Sequence, residues 1–347
     1  MSAEKEPTST GFKLLIGCAA LLGVGALVFG LIVAVSVWWI WSPGPQIDPL
    51  TITTPDTVAL LHVDDLTQDV AFKAYLDETA LYFTDASQGV RADQLPEELR
   101  WVTAYQQSNT NAGEGWARVI PRNAAVIIDP TLRGSTGAAV NFPIMVRPMR
   151  AMMTLNSEGR EPDSKLSKHQ GRDVIQLEAD SVLAFEGGTA LWADSADLLH
   201  RLIDAQVDGG ELSPLVDDVA ALHADWSLVG VTRDAMTLAD LTGREEVLAV
   251  AARGFERVWF GIRMDDADTL ALRVGLDGGP TESEVPGLLI LSDWACPALE
   301  TSLRELGLDP RCGAAQEADG LRLNLTATGL RAATRGAIDA AFTPQTD

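Results

Sequence analysis

Residues 173–194 read DVIQLEADSVLAFEGGTALWAD, and this stretch decides the fold class. Apolar residues alternate with polar or small ones on both sides of Gly187 and Gly188. Alternation of period two marks strands with one buried face, and a two-glycine joint supplies the positive φ that a tight hairpin turn demands. The stretch is expected to be antiparallel hairpin structure. Directly after it, Leu198, Leu199, Leu202 and Ile203 fall on one side of a helix from Ser195 to about Gln206. Strands that hand over to an amphipathic helix point to the α+β class.

The flanking sequence repeats these signals. Upstream, TVALLHVDDL (57–66) reads as a strand, and Phe72, Leu76, Ala80 and Phe83 mark one face of a helix. Residues 95–107 read as a second helix, opened by Pro96 and two glutamates. AAVIIDP (124–130) and NFPIMVRP (141–148) read as strands. Downstream the order begins again. WSLVGVTRDAM (226–236) parallels the first strand, and RVWFGIRMDDADTLALRVGL (257–276) is a second hairpin. GLLILSD (287–293) parallels FPIMVRP, and DGLRLNLTATGLRAATRGAIDA (319–340) ends on the same IDA as the earlier helix. The expectation is a diverged duplication: two α+β units, residues 56–210 and 211–347, each a mainly antiparallel sheet covered by helices.

Residues 14–41 carry no charge over 28 positions, where about 20 apolar residues suffice to span a bilayer. They are expected to form one transmembrane helix, with Trp38, Trp39 and Trp41 at the headgroups and Pro43 and Pro45 ending it. Ala19, Gly23, Ala26, Gly30 and Ala34 form a small-residue stripe of the kind that lets two helices approach closely. Residues 1–13 would be a cytoplasmic tail and residues 42–55, rich in Pro and Thr, an extended stalk. Lys5 and Lys13 precede the span and no cation follows until Lys73, so the remainder would lie outside the cytoplasmic membrane, in the periplasm.

The chain carries 26 Lys and Arg against 49 Asp and Glu, a formal net charge of -23. Such a balance repels phosphate backbones and argues against a nucleic-acid partner. One segment runs the other way: Arg147, Arg150, Arg160, Lys165, Lys168 and Arg172 outnumber Glu158, Glu161 and Asp163. It is a candidate docking site for an acidic partner, and equally a solvated loop.

Residues 187–231, GGTALWADSADLLHRLIDAQVDGGELSPLVDDVAALHADWSLVGV, resemble a pattern in bacterial membrane-anchored extracytoplasmic proteins built from tandem α+β repeats. There a strand is followed by a helix, a loop ending in Ser-Leu or Ser-Pro, a short helix and a new strand. The resemblance covers residues 56–341 in outline and implies architecture and location; it brings no catalytic residues.

The search for chemistry returns little. Cys296 and Cys312 flank 15 residues that read as a helix and a turn. In an oxidising compartment they are candidates for a disulfide contributing roughly 3 kcal/mol, with two buried thiols as the alternative. His62 shares a strand face with Val58 and Leu60, His200 has Asp204 one turn on, His223 lies near a helix end and His169 in a polar loop. No Gly-x-Ser-x-Gly elbow or phosphate-binding glycine loop occurs, and RGSTG (133–137) reads as a turn. Asp265, Asp266 and Asp268 lack the spacing of a calcium loop and suit a hairpin turn. No cofactor or metal is expected. Two functions are carried forward: a binding or scaffold protein of the bacterial envelope, with an envelope partner or itself as ligand, and an exported hydrolase whose carboxylates meet only in the fold.

Overall fold

In the computed structural model, which describes residues 45–87, 121–130, 135–142, 166–177, 181–234, 255–278, 285–317 and 320–342, twelve strands follow one another along the chain. They are β1 (Ala59–Val63), β2 (Asn123–Asp129), β3 (Ser135–Asn141), β4 (Leu166–His169), β5 (Arg172–Gln176), β6 (Val182–Glu186) and β7 (Thr189–Ala193), then β8 (Leu228–Thr232), β9 (Arg257–Asp266), β10 (Thr269–Asp277), β11 (Asp309–Glu317) and β12 (Gly320–Thr328). Five α-helices accompany them: α1 (Val70–Ser87), α2 (Ala196–Asp208), α3 (Leu215–Leu222), α4 (Val285–Glu305) and α5 (Leu330–Phe342).

All twelve strands belong to one sheet, in the order β11-β12-β10-β9-β8-β1-β2-β3-β7-β6-β5-β4, and every neighbouring pair is antiparallel. This corrects the expected fold of two separate α+β units behind a transmembrane helix. The reason lies in β1, which pairs with β2 along one edge and with β8 along the other. Leu60 faces Val231 and His62 faces Val229 across that seam, so the two stretches that look alike in sequence are bonded neighbours. Outward from the seam the strand order is alike on both sides: β1-β2-β3-β7-β6 and β8-β9-β10-β12-β11. Residues 43–347 cluster as one compact unit.

The hairpins form as their sequences require. Glu186 pairs with Thr189, and Gly187 takes φ 56° in the two-residue turn. α2 starts where Ser195 caps the amide of Leu198 at 3.3 Å and stops at Gly209 in the left-handed region. Its Leu198, Leu199, Leu202 and Ile203 pack with Leu215 and Val219 of α3 on Leu60, Ile127, Ala139, Val182, Leu191, Val229 and Trp259. This main core runs across the β1–β8 seam. On the other face, towards the β11 edge, Leu299 and Leu303 of α4 and Leu330 and Ala333 of α5 pack on Leu272, Leu325 and Ala327.

Three further readings change. GLLILSD is helical, residues 287–293 of α4, because Pro286 sits in the first turn and a short apolar run has no period of its own to choose strand over helix. The described part of the expected stalk is folded into the domain: Ile52 is fully buried, Ile47 and Leu50 pack on the main core, and Asn141 donates to the Ile47 carbonyl at 2.7 Å. The helix expected over residues 14–41, with Ala19, Gly23, Ala26, Gly30 and Ala34, lies outside the described residues. Among the described residues no helix is long and apolar enough to cross a membrane, which corrects the transmembrane, single-pass and signal-anchor reading; the longest, α4, carries Asp293, Glu300, Arg304 and Glu305.

Candidate functional site

Strand register lays four rows of side chains across β9, β10, β12 and β11. They are Arg263–Ala271–Thr326–Arg311, Gly261–Arg273–Asn324–Gly313, Trp259–Gly275–Arg322–Ala315 and Arg257–Asp277–Gly320–Glu317. Because side chains alternate with period two, all sixteen residues share one face, about 14 Å across the strands and about 20 Å along them. α4 and α5 pack on the opposite face. Arg311, Gly313, Ala315, Asn324 and Thr326 are exposed. The face holds five arginines against Asp277 and Glu317, in a chain of net charge -23.

The arginines are held by a connected network. Asp218 of α3 accepts from Arg233 Nε at 2.7 Å and Arg233 Nη2 at 3.0 Å, and from Arg257 Nη1 at 2.9 Å. Burial pushes the Asp218 carboxyl up, but the hydrogen bonds from Arg233 and Arg257 outweigh it and hold the group below its ordinary range. Arg257 also donates to Asp277, which accepts from the Trp259 indole at 3.0 Å and pairs with Arg322 at 2.7 Å. Glu317 pairs with Arg273 and, at 3.6 Å, with Arg322. Two indoles form the floor. Arg322 lies 5.5 Å above the Trp259 ring and Arg263 lies 5.0 Å above Trp226. A Cβ at Gly275 would come within 2.1 Å of Trp259, and one at Gly261 within 2.4 Å of Trp226, so the glycines make room for the rings.

What this face offers is recognition. Guanidinium groups present forked donors that match carboxylates, and Asn324 and Thr326 add neutral donors and acceptors between them. Each buried carboxylate here is already neutralised: Asp218 and Asp277 as described, and Asp129 by Arg201 at 3.1 Å. Asp218, held below its ordinary range, is an acceptor that positions Arg233 and Arg257.

The residues singled out in the sequence are scattered. Cys296 of α4 and Cys312 of β11 are joined in a disulfide with Cα atoms 5.4 Å apart. Of the basic segment, Lys168 and Arg172 lie on the hairpin of β4 and β5, where Lys168 is 3.8 Å from Asp173 and Arg172 is bound to Glu186. Arg147, Arg150, Arg160 and Lys165 lie outside the described residues. His169 bonds Asp204 at 2.7 Å and stacks on His200 at 4.0 Å between ring centroids. His62 meets His223 at 2.6 Å, in the interior. Asp265 and Asp266 end β9 and Asp268 lies in the turn to β10; Asp265 pairs with Arg263 at 2.8 Å, Asp266 accepts from the Asp268 amide and Asp268 caps α5 through the Arg331 amide. Among the described residues no group of three or more His, Cys, Asp or Glu is placed to hold a metal ion. A shallow hollow between α1 and α5, lined by Glu78, Tyr82, Arg331 and Thr334, is bridged by the Arg331–Glu78 ion pair at 2.7 Å.

Comparison of the chain with protein-family models, with curated proteins and with solved structures found no match.

Proposed function

We propose that this protein is a non-catalytic binding or scaffold component of the bacterial cell envelope, with its folded domain in an oxidising, extracytoplasmic compartment. The observation that carries the reading is the arginine face of β9, β10, β12 and β11, where Arg263, Arg311, Asn324 and Thr326 stand exposed beside a part-buried network of paired arginines, on an acidic protein. A charged concentration of that kind steers and orients a partner of opposite sign. The ligand it fits is an acidic protein surface. The overall charge of -23 works against nucleic acid, whose phosphates would be repelled over most of the molecule. The Cys296–Cys312 disulfide supports the compartment, since such bonds persist where thiols are not kept reduced.

The test is a pair of exposed substitutions in the outer row of the face, Arg263→Glu and Thr326→Glu, in the full-length protein. Partner recovery after crosslinking in native envelopes should fall at least about tenfold, the cost of introducing like charge into one close contact. Undiminished recovery of the same partner would remove the face from the binding site.

A further inference from the structure

β11 is the last strand of the sheet, so among the described residues one of its edges has no neighbouring strand. The two halves of that edge differ. Pro310 has no N–H, and the Cys312 N–H points away from β12 to the Glu300 carboxylate of α4 at 2.9 Å. Such devices block strand addition. Since backbone groups alternate in direction along an antiparallel strand, the Cys312 geometry sends the N–H and C=O of Ala314 and Gln316 outward as well. Both residues are exposed, and no side chain larger than a methyl group stands at Gly313, Ala314 or Ala315.

We propose that this open half of β11 is a self-association edge, pairing antiparallel with β11 of a second copy in a register centred on Ala314. That register sets Ala314 opposite Ala314, Gly313 opposite Ala315, and Arg311 opposite the partner's Glu317, twice over. The Ala314 groups exchange two hydrogen bonds, and Glu300 keeps Cys312 out of the ladder, so roughly two backbone bonds form in all. Arg311 and Glu317 fall at the non-hydrogen-bonded positions, where opposed Cα atoms are about 4.5 Å apart and side chains meet most closely. Moving the centre one residue to Gly313 would oppose Asp309 and Glu317, two carboxylates. Charge therefore selects the register, and the pairing is isologous and closed.

The dimer axis stands perpendicular to the sheet, so the arginine faces of both copies lie on the same side and join into one surface. The inference rests on the binding reading in that respect, but its test does not. Two chains of charge -23 repel each other at long range, and salt screens this within about 8 Å at physiological ionic strength while leaving the close Arg311–Glu317 contacts.

Sedimentation of the full-length chain in mild detergent tests the edge, comparing the parent protein with Ala314→Pro and Arg311→Glu. Ala314→Pro removes an outward N–H that has no ladder bond to lose, and Arg311→Glu alters an exposed side chain, so both should retain the fold. The parent chain should show a concentration-dependent monomer–dimer equilibrium at physiological salt, weakened at least about tenfold by each variant. A parent chain monomeric into the range of about 100 μM, or a dimer indifferent to both variants, would overturn the proposal. Arg263 lies on β9, three strands from β11, so the capture experiment with Arg263→Glu alone stands or falls separately.

Discussion

His62 shows how much one position depends on distant sequence. Its alternation with Leu60 places it on the inward face of β1, and that much is legible locally. Its partner, His223, is 161 residues away at the end of α3, and no periodicity announces the pairing. His223 Nδ1 lies 2.8 Å from the Trp226 carbonyl and donates to it, while its Nε2 shares one hydrogen bond with His62 Nδ1. Burial lowers the His62 pKa to about 4 and His223 adds to the effect, against the opposing influence of Asp64 and Asp48. The folded state thus binds the proton less readily than the unfolded chain, whose histidine titrates near 6.5. Stability from this group is complete above about pH 6.5 and is lost as pH falls towards 4, by up to about 3 kcal/mol. Urea unfolding across that window should show the loss, and His62→Gln should flatten it; an unchanged slope in the variant would assign the effect elsewhere. The floor of the arginine face is a second local matter. Gly261→Ala would press a methyl group into the Trp226 ring, and unfolding should become easier by about 1–3 kcal/mol. An unaltered midpoint would mean that the indole moves freely.

Elements were read well where period and caps agreed and poorly where either was missing. The β6–β7 hairpin, α1 and α2 follow from alternation, from Leu76, Ala80 and Phe83, and from Ser195 as cap. Only the start of β11, Asp309 to Arg311, falls in the stretch that reads as a helix and a turn, and nothing marks the rest as a strand because DPRCGAAQE has no apolar alternation, only Pro310 being buried along it. An edge strand that lies open to solvent needs none. α4 hides its first turns in an apolar run that equally suits a strand. The disulfide ties these two elements together, and Glu300 adds a bond to the Cys312 amide; that hydrogen bond and then Arg304 hold the Glu300 carboxyl below its ordinary range. Replacing both cysteines by serine should lower stability by about 3 kcal/mol, since the bridge closes a loop across 16 positions. Thermal unfolding with and without reductant gives the value. Equal stability would show that the rest of the α4–β11 contact suffices.

At the scale of the molecule, the sequence displays likeness between its two parts but not how they meet. Likeness of TVALLHV and WSLVGVT is compatible with two sheets or with one. The choice was made by β1 and β8 pairing with each other, and by Leu60, Val229, Val231 and Trp259 sharing a core with α2 and α3. A core continuous across the seam should unfold as one cooperative unit, so heat or denaturant should give a single transition by fluorescence and by circular dichroism alike. Two separated transitions would return the molecule to independent halves. The arginine face was equally invisible, because its cations stand one or two to a strand. The signal in the sequence is parity: Arg257, Trp259, Gly261 and Arg263 alternate along β9, as do Arg322, Asn324 and Thr326 along β12. Only the register turns those alternations into a surface. Its role is tested most directly by a photoreactive residue at Thr326 in the full-length protein, irradiated in native envelopes beside the same residue at Ala298, an exposed position on α4 behind the sheet. A defined adduct from position 326 and none from 298 is the outcome expected of a binding face. Equal labelling from both, or none above background from 326, would contradict it.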